Sequence, residues 1–172
     1  MKKVCGFYVS SMHLVTMMLP YIKDKINHNI KIETFFEYNL NNNINNMLNN
    51  LIINKEDKEK ILNINWKNSR LKKYSNIEKN LKNIIENNEE INLLISGSEK
   101  YINQVNNILN VFFEKYIAKI NNKKITIINC YEVTEFDNNI REILDEHEFI
   151  LNTSGIHNVE DIFEDYKKRV VN

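Results

Sequence analysis

Residues 4–27, VCGFYVSSMHLVTMMLPYIKDKIN, decide the expected fold of this chain. An apolar run leads into a short polar turn, and apolar residues then recur every three or four positions. The first pattern predicts a buried strand, and the second predicts an amphipathic helix. In an open α/β sheet, ligands bind at the carboxyl ends of the strands, where such a unit turns from strand to helix.

The turn itself, VSSM at residues 9–12, contains neither glycine nor lysine. Turns that bind nucleotide phosphates are rich in glycine and carry a lysine, because backbone N–H groups must close around the anion. A nucleoside triphosphate is therefore not expected here, and neither is ATP hydrolysis. The start of the helix still offers free N–H groups and a partial positive charge, so a small anion could bind beside His13 without a lysine.

Strands and helices alternate along the rest of the chain. Strands are predicted at residues 3–9, 30–37, 61–66, 91–96, 124–131 and 149–151. The longest predicted helix covers residues 99–120, and the last covers residues 159–170. Such alternation predicts an α/β fold in which helices cover both faces of a mostly parallel sheet of five or six strands. No linker or repeat interrupts it, so residues 1–172 are expected to form a single domain.

Composition narrows the classes of function. The formal net charge is zero, whereas a nucleic-acid binder that relies on electrostatics carries a basic excess. The basic and apolar start of the chain is too short for a signal peptide, and the first helix is apolar on one side only, so no membrane segment is expected. Two cysteines in such a chain are typical of reduced thiols, which places the protein in the cytoplasm.

Several segments together resemble one family. These are the opening strand, LVTMMLPYIKDKI at residues 14–26, FFEKYIAKI at 112–120 and INCYEVTEFDNNIREILDEHEFIL at 128–151. They are similar to motifs of the MEDS (methanogen/methylotroph DcmR sensory) domains. These domains are related to the KaiC and RecA-like ATPases but lack the P-loop. The chain departs from the family pattern in having Glu132 where aspartate is common and Glu148 where proline follows the histidine. It also lacks the histidine that relatives carry ahead of Cys5.

The resemblance implies a three-layer α/β/α fold and a role in sensing or signalling that involves a small organic molecule. We predict that the domain acts by binding and not by catalysis. Because carboxyl ends of parallel strands meet at one edge, the ligand is expected at the ends of the strands at residues 3–9 and 124–131. The candidate ligand-binding residues are Tyr8, Ser10, Ser11, His13, Cys130, Tyr131 and Glu132. No cofactor is expected. The response would pass to a protein partner or within a homodimer, along the exposed side of the last predicted helix.

Two other classes of function fit the same pattern. An enzyme could use Glu132 and His147 as an acid/base pair at this edge, with Glu135 and Asp137 nearby. Asp137 more commonly serves only to cap the next helix. A protein-interaction module without any ligand is the other alternative.

The cysteines and the basic segment also allow two interpretations each. Cys5 and Cys130 are either small buried hydrophobes or a redox or ligand pair. A metal site is not expected, because the chain has no close cysteine pair of the C-x-x-C type; the residues that could otherwise form one are Cys5, His13, Cys130 and His147. The basic segment at residues 67–73 is either a solvated loop or a patch that binds phosphate or a partner.

Overall fold

A computed structural model describes residues 1–69, 74–133 and 140–163. Its strands are β1 (Lys2–Tyr8), β2 (Lys31–Phe36), β3 (Glu90–Gly97), β4 (Lys124–Glu132), β5 (Phe149–Asn152) and β6 (Gly155–Asn158). Its helices are α1 (Ser11–Asn27), α2 (Asn41–Asn50), α3 (Lys55–Leu62), α4 (Tyr74–Asn87), α5 (Glu99–Lys115), α6 (Ile117–Ile120), α7 (Ile140–Asp145) and α8 (Val159–Ile162).

The strands form one six-stranded sheet in the order β2-β3-β4-β1-β5-β6. The first five strands run parallel to their neighbours, and β6 pairs antiparallel with β5. The predicted α/β fold with a mostly parallel sheet is therefore confirmed. The strand order is compatible with a RecA-like arrangement.

Helices cover both faces of the sheet, which gives two apolar layers. One layer joins α1, α2 and α3 to residues such as Val4 and Tyr8 of β1. The other joins α4, α5 and α7 to residues such as Cys5, because successive side chains of a strand point to opposite faces. The inner strand β3 is buried from Ile91 to Gly97, which explains its continuous apolar sequence.

The prediction of a strand at residues 61–66 is wrong. Ile61 lies in the last turn of α3, and Trp66 lies in the loop that follows it. The Trp66 indole Nε1 donates to the Ile61 carbonyl oxygen at 2.8 Å, and its ring stacks on Phe36 with the ring centroids 5.8 Å apart. A short apolar run does not by itself distinguish a strand from a loop that fills the core.

The same loop runs along the outer edge of β2. Thr34 Oγ1 donates to the Asn65 carbonyl at 2.6 Å, and the Ser69 N–H donates to the Phe36 carbonyl at 2.7 Å. This half of the edge strand is therefore covered, which limits pairing with another chain. Lys67 is exposed, while residues 70–73 of the predicted basic segment lie outside the described residues.

Other element boundaries differ in smaller ways. Three helices separate β2 from β3, so the alternation is not strict. Helix α1 continues through Pro20, which lies on its exposed side, and the helix predicted at residues 99–120 is interrupted at Tyr116. The short β6 follows a turn at Thr153 and Ser154 and was not predicted. Most of the predicted last helix, residues 164–170, lies outside the described residues.

Within the described part of the chain, no helix combines the length and apolar character needed to cross a bilayer.

Candidate functional site

The turn between β1 and α1 lies beside the end of β4. Strands β1 and β4 pair in parallel, with Phe7 opposite Tyr131 and Tyr8 opposite Glu132. The N–H of Val133 extends this pairing by donating to the Tyr8 carbonyl oxygen at 2.8 Å. The predicted site requires this neighbouring position of the two strand ends.

Ser10 and His13 hold the turn closed. Ser10 is the N-cap of α1, and its Oγ accepts from the His13 N–H at 3.2 Å. The Nδ1 atom of His13 accepts from the Val9 N–H at 3.3 Å. Because Nδ1 accepts this bond, Nε2 is the ring nitrogen that can donate to a ligand. Ser11 is half-buried at the first position of the helix. Two of the candidate residues therefore shape the turn, and Nε2 of His13 remains as a donor.

Tyr8 is the most unusual residue at this edge. Its side chain is only 1% exposed, and its hydroxyl has no hydrogen-bond partner among the residues that the structure describes. Burial raises the pKa of Tyr8, and the nearby carboxylates of Glu132 and Glu37 contribute to the increase. The residue is therefore a neutral phenol whose donor and acceptor capacity is not used by any described residue. Leaving such a group unsatisfied costs about 1–3 kcal/mol.

The polar groups around Tyr8 come from the ends of two other strands. Glu132 is the last residue of β4, while Glu37 and Tyr38 follow β2. Burial raises the pKa of Tyr38, as do the charges of Glu37 and Glu132 and a hydrogen bond to Glu132. The Glu37 Oε2 atom accepts from the N–H of Ser98, the N-cap of α5, at 2.6 Å. This edge thus combines two phenols, of which Tyr8 is buried, with two carboxylates.

Glu37 and Tyr38 were not among the predicted site residues. They lie at the end of the strand predicted at residues 30–37, which is the signal that could have identified them. Their approach to the site depends on Gly97, whose φ of +153° is a conformation that residues with a Cβ rarely adopt. A Cβ added at Gly97 would lie 2.6 Å from the Glu37 Cβ.

Exposed apolar side chains surround the same turn. Val9 is 67% exposed and Met12 is 41% exposed, and Tyr38 beside Glu132 is 45% exposed. Single exposed apolar residues are common, but three beside the half-buried Glu132 give this edge both apolar and polar contact surface. The arrangement suits an organic molecule with one polar end.

The structure does not bring all seven candidate residues together. Tyr131 lies on the opposite face of the sheet, where its ring centroid is 6.1 Å from that of Phe7 and 6.2 Å from that of His147. Cys130 is fully buried in the layer of α1, beneath Tyr8 rather than at the surface. Tyr8, Ser10, Ser11, His13 and Glu132 remain at the edge on the α1 side.

Glu132 and His147 also lie on opposite faces. His147 is 2% exposed, and its Nδ1 donates to the Ile143 carbonyl oxygen at 2.7 Å. Its Nε2 faces the Asn129 Nδ2 at 3.4 Å, which is consistent with a neutral ring that accepts there. Glu132 instead faces Tyr8 and Tyr38 on the α1 side. The other proposed carboxylates, Glu135 and Asp137, lie outside the described residues.

The two cysteines are separated in the same way. Cys5 and Cys130 are both free and fully buried, but Cys5 belongs to the α5 layer and Cys130 to the α1 layer. Burial raises the pKa of Cys5 to about 12 and also raises the pKa of Cys130. Among the residues described, no group of three or more His, Cys, Asp and Glu side chains is arranged to hold a metal ion.

We expect both thiols to be unreactive in the folded protein. The thiolate is the nucleophile, and a pKa near 12 leaves a thiolate fraction about a thousandfold below that of an ordinary cysteine at pH 8. Ellman's reagent should therefore react with both cysteines in guanidinium and at least about a hundredfold more slowly without it. Rapid labelling of either cysteine in the native protein would show an accessible, activated thiol and contradict this expectation.

No protein-family model matches the chain, and a search of curated proteins finds no match either. The resemblance to the MEDS domains therefore stays a prediction that depends on the motifs quoted above.

Proposed function

We propose that this protein is a non-catalytic sensory domain that binds a small organic ligand at the carboxyl edge of the sheet, in the manner expected of a MEDS-like domain. The observation that carries the proposal is the buried Tyr8 hydroxyl, which has no partner among the described residues. Buried polar groups are almost always hydrogen-bonded, so one left unpaired at a sheet edge is accounted for by a ligand that pairs with it.

The topology supports this location. The connection from β1 leads through α1 to β2 at one side of the sheet, whereas the connection from β4 leads through α7 to β5 at the other side. Helix α1 belongs to one layer and α7 to the other. Strands β1 and β4 are neighbours, so their carboxyl ends form a switch point of the kind at which α/β proteins bind ligands.

The chemistry of the edge indicates the class of ligand. Tyr8 can donate or accept one hydrogen bond, and Glu132 beside it only accepts. Val9 and Met12 supply apolar surface. A small organic molecule with a hydroxyl or amine end and an apolar body would satisfy all of these groups. The turn without glycine or lysine gives no cradle for a triphosphate.

A protein-interaction module is the second candidate, and one observation favours it. The exposed side chains of Val9, Met12 and Tyr38 would suit a partner chain as well as an organic molecule.

An enzyme based on Glu132 and His147 receives no such support, because the two side chains lie on opposite faces. In the sensory proposal, ligand binding at this edge changes the affinity for a protein partner or a second copy. Both described thiols are free, which fits a reducing compartment such as the cytoplasm.

Native mass spectrometry of freshly purified protein tests the proposal. We expect the native mass to exceed the mass of the protein by that of a small organic molecule. This excess should disappear on denaturation, because the molecule is bound non-covalently. Where no molecule co-purifies, a thermal-shift panel of alcohols, amines and phenols should contain a compound that stabilises the protein. A native mass equal to that of the protein alone, together with no stabilising compound in the panel, would contradict ligand binding. A rise in melting temperature on addition of a protein partner would then favour the interaction module.

A further inference from the structure

A pocket lies on the face of the sheet opposite α1. It has a volume of about 380 Å³, within the range of small-molecule sites. Its floor is formed by Lys3 of β1 and by Ile127 and Asn129 of β4. One wall is the asparagine-rich side of α5, and the other is formed by Glu146 and His147 after α7. The sheet separates this pocket from Tyr8.

Asn129 places a buried hydrogen-bond acceptor in the lining of the pocket. The residue is 3% exposed, and its Oδ1 has no hydrogen-bond partner among the described residues. Its Nδ2 faces His147 Nε2 at 3.4 Å, so the amide nitrogen has a partner within the protein. A buried carbonyl oxygen of this kind is satisfied by an N–H or O–H donor.

The lining carries one charge of each sign. Lys3 and Glu146 both line the pocket, and both residues are exposed. Neither forms an ion pair within 4.0 Å with another residue in the described ranges. A purely anionic ligand would be repelled by Glu146, and a purely cationic ligand would be repelled by Lys3.

The wall formed by α5 is uncharged but polar. Asn103, Asn106, Asn107 and Asn110 follow one another at helical spacing, which places them on one side of the helix. Each amide can donate and accept, so the wall suits a ligand that carries both kinds of group. Among the described lining residues there is no Phe, Tyr or Trp ring against which a sugar could stack.

We propose that this pocket binds a small zwitterion of the amino-acid type. Lys3 receives the carboxylate, Glu146 receives the ammonium group, and an N–H of the ligand donates to Asn129 Oδ1. The asparagines of α5 contact the remainder of the molecule. The site does not depend on the ligand of Tyr8, because the two lie on different faces of the sheet.

A thermal-shift screen with the free L-amino acids tests this inference. We expect at least one of them to raise the melting temperature by about 5 °C or more at a concentration a hundredfold above its dissociation constant. The corresponding amine without its carboxylate, and the corresponding acid without its amino group, should each bind at least tenfold more weakly.

Matched variants locate the binding. Lys3→Met and Glu146→Gln should each weaken binding of the amino acid at least tenfold. Lys124→Met and Glu148→Gln, which change exposed residues outside the pocket lining, should leave it unchanged, as should Tyr8→Phe. The inference fails if no L-amino acid binds, if only monosaccharides or singly charged compounds bind, or if the control variants weaken binding as much as the pocket variants.

Discussion

Replacing Tyr8 with phenylalanine is expected to stabilise the ligand-free protein, by about 1 kcal/mol in the free energy of unfolding. The substitution removes a buried hydroxyl that has no described partner and keeps the ring that packs in the core. Most substitutions of core residues destabilise, so a gain in stability is a distinctive result.

Tyr21 provides the matched control for this substitution. It is buried in the same layer, but its hydroxyl donates to the Asn92 Oδ1 at 2.5 Å. Asn92 is fully buried, and its Nδ2 already has no partner among the described residues, so Tyr21→Phe would leave both ends of the amide unsatisfied. We expect this variant to lose about 2 kcal/mol of stability.

Urea unfolding followed by tryptophan fluorescence measures both changes. The chain has a single tryptophan, and Trp66 is 1% exposed in the folded state, so its emission reports on unfolding directly. The two variants should shift the midpoint in opposite directions without changing the slope. A loss of stability in Tyr8→Phe similar to that in Tyr21→Phe would mean that the Tyr8 hydroxyl is satisfied within the protein.

Gly97→Ala is expected to cause the larger loss of stability, about 4 kcal/mol. The backbone at Gly97 has a φ of +153°, which strains any residue with a Cβ. The new methyl group would also lie 2.4 Å from Glu37 Oε2 and 2.6 Å from Glu37 Cβ. The far end of Glu37 could move aside, but its Cβ is fixed to the backbone after β2. The bond from the Ser98 N–H to Glu37 would then be lost, and the edge beside Tyr8 would be disturbed.

Gly155→Ala separates the two contributions. Gly155 also has a positive φ, +123°, but a Cβ added there meets nothing within 4 Å. Only the backbone strain remains, so we expect a loss of about 2 kcal/mol. Equal losses in the two alanine variants would show that the close contact between Gly97 and Glu37 contributes nothing to stability.

The sequence was sufficient for the architecture because the architecture depends on patterns along the chain. The apolar run at residues 91–96 and the periodic stripe of α5 determine a buried strand and a covering helix without reference to the rest of the molecule. Residues 61–66 misled the prediction because their apolar side chains fill the core from a helix end and a loop. Strand β6 was missed because four residues with two half-buried apolar or aromatic side chains give too weak a pattern.

The site could be predicted only in part, because strand order and side-chain direction decide it. The end of β4 does lie beside the β1–α1 turn, as expected from the first segment of the chain. The direction of each side chain follows from strand register, which placed Tyr131 on the face opposite Tyr8. Glu37 lies at the end of a predicted strand, but its contact with the Ser98 N–H after β3 depends on the strand order, which the local sequence of β2 does not indicate.

The most direct test of the account is a calorimetric titration of the compound found by native mass spectrometry or by the thermal-shift panel. It should be titrated into the wild-type protein, Tyr8→Phe and Tyr21→Phe. If the Tyr8 hydroxyl pairs with the ligand, Tyr8→Phe binds at least about tenfold more weakly although it is more stable, because it leaves a buried ligand group unpaired. Tyr21→Phe then keeps the wild-type affinity. Equal affinities of the wild-type protein and Tyr8→Phe would contradict the proposal that the ligand binds at this edge.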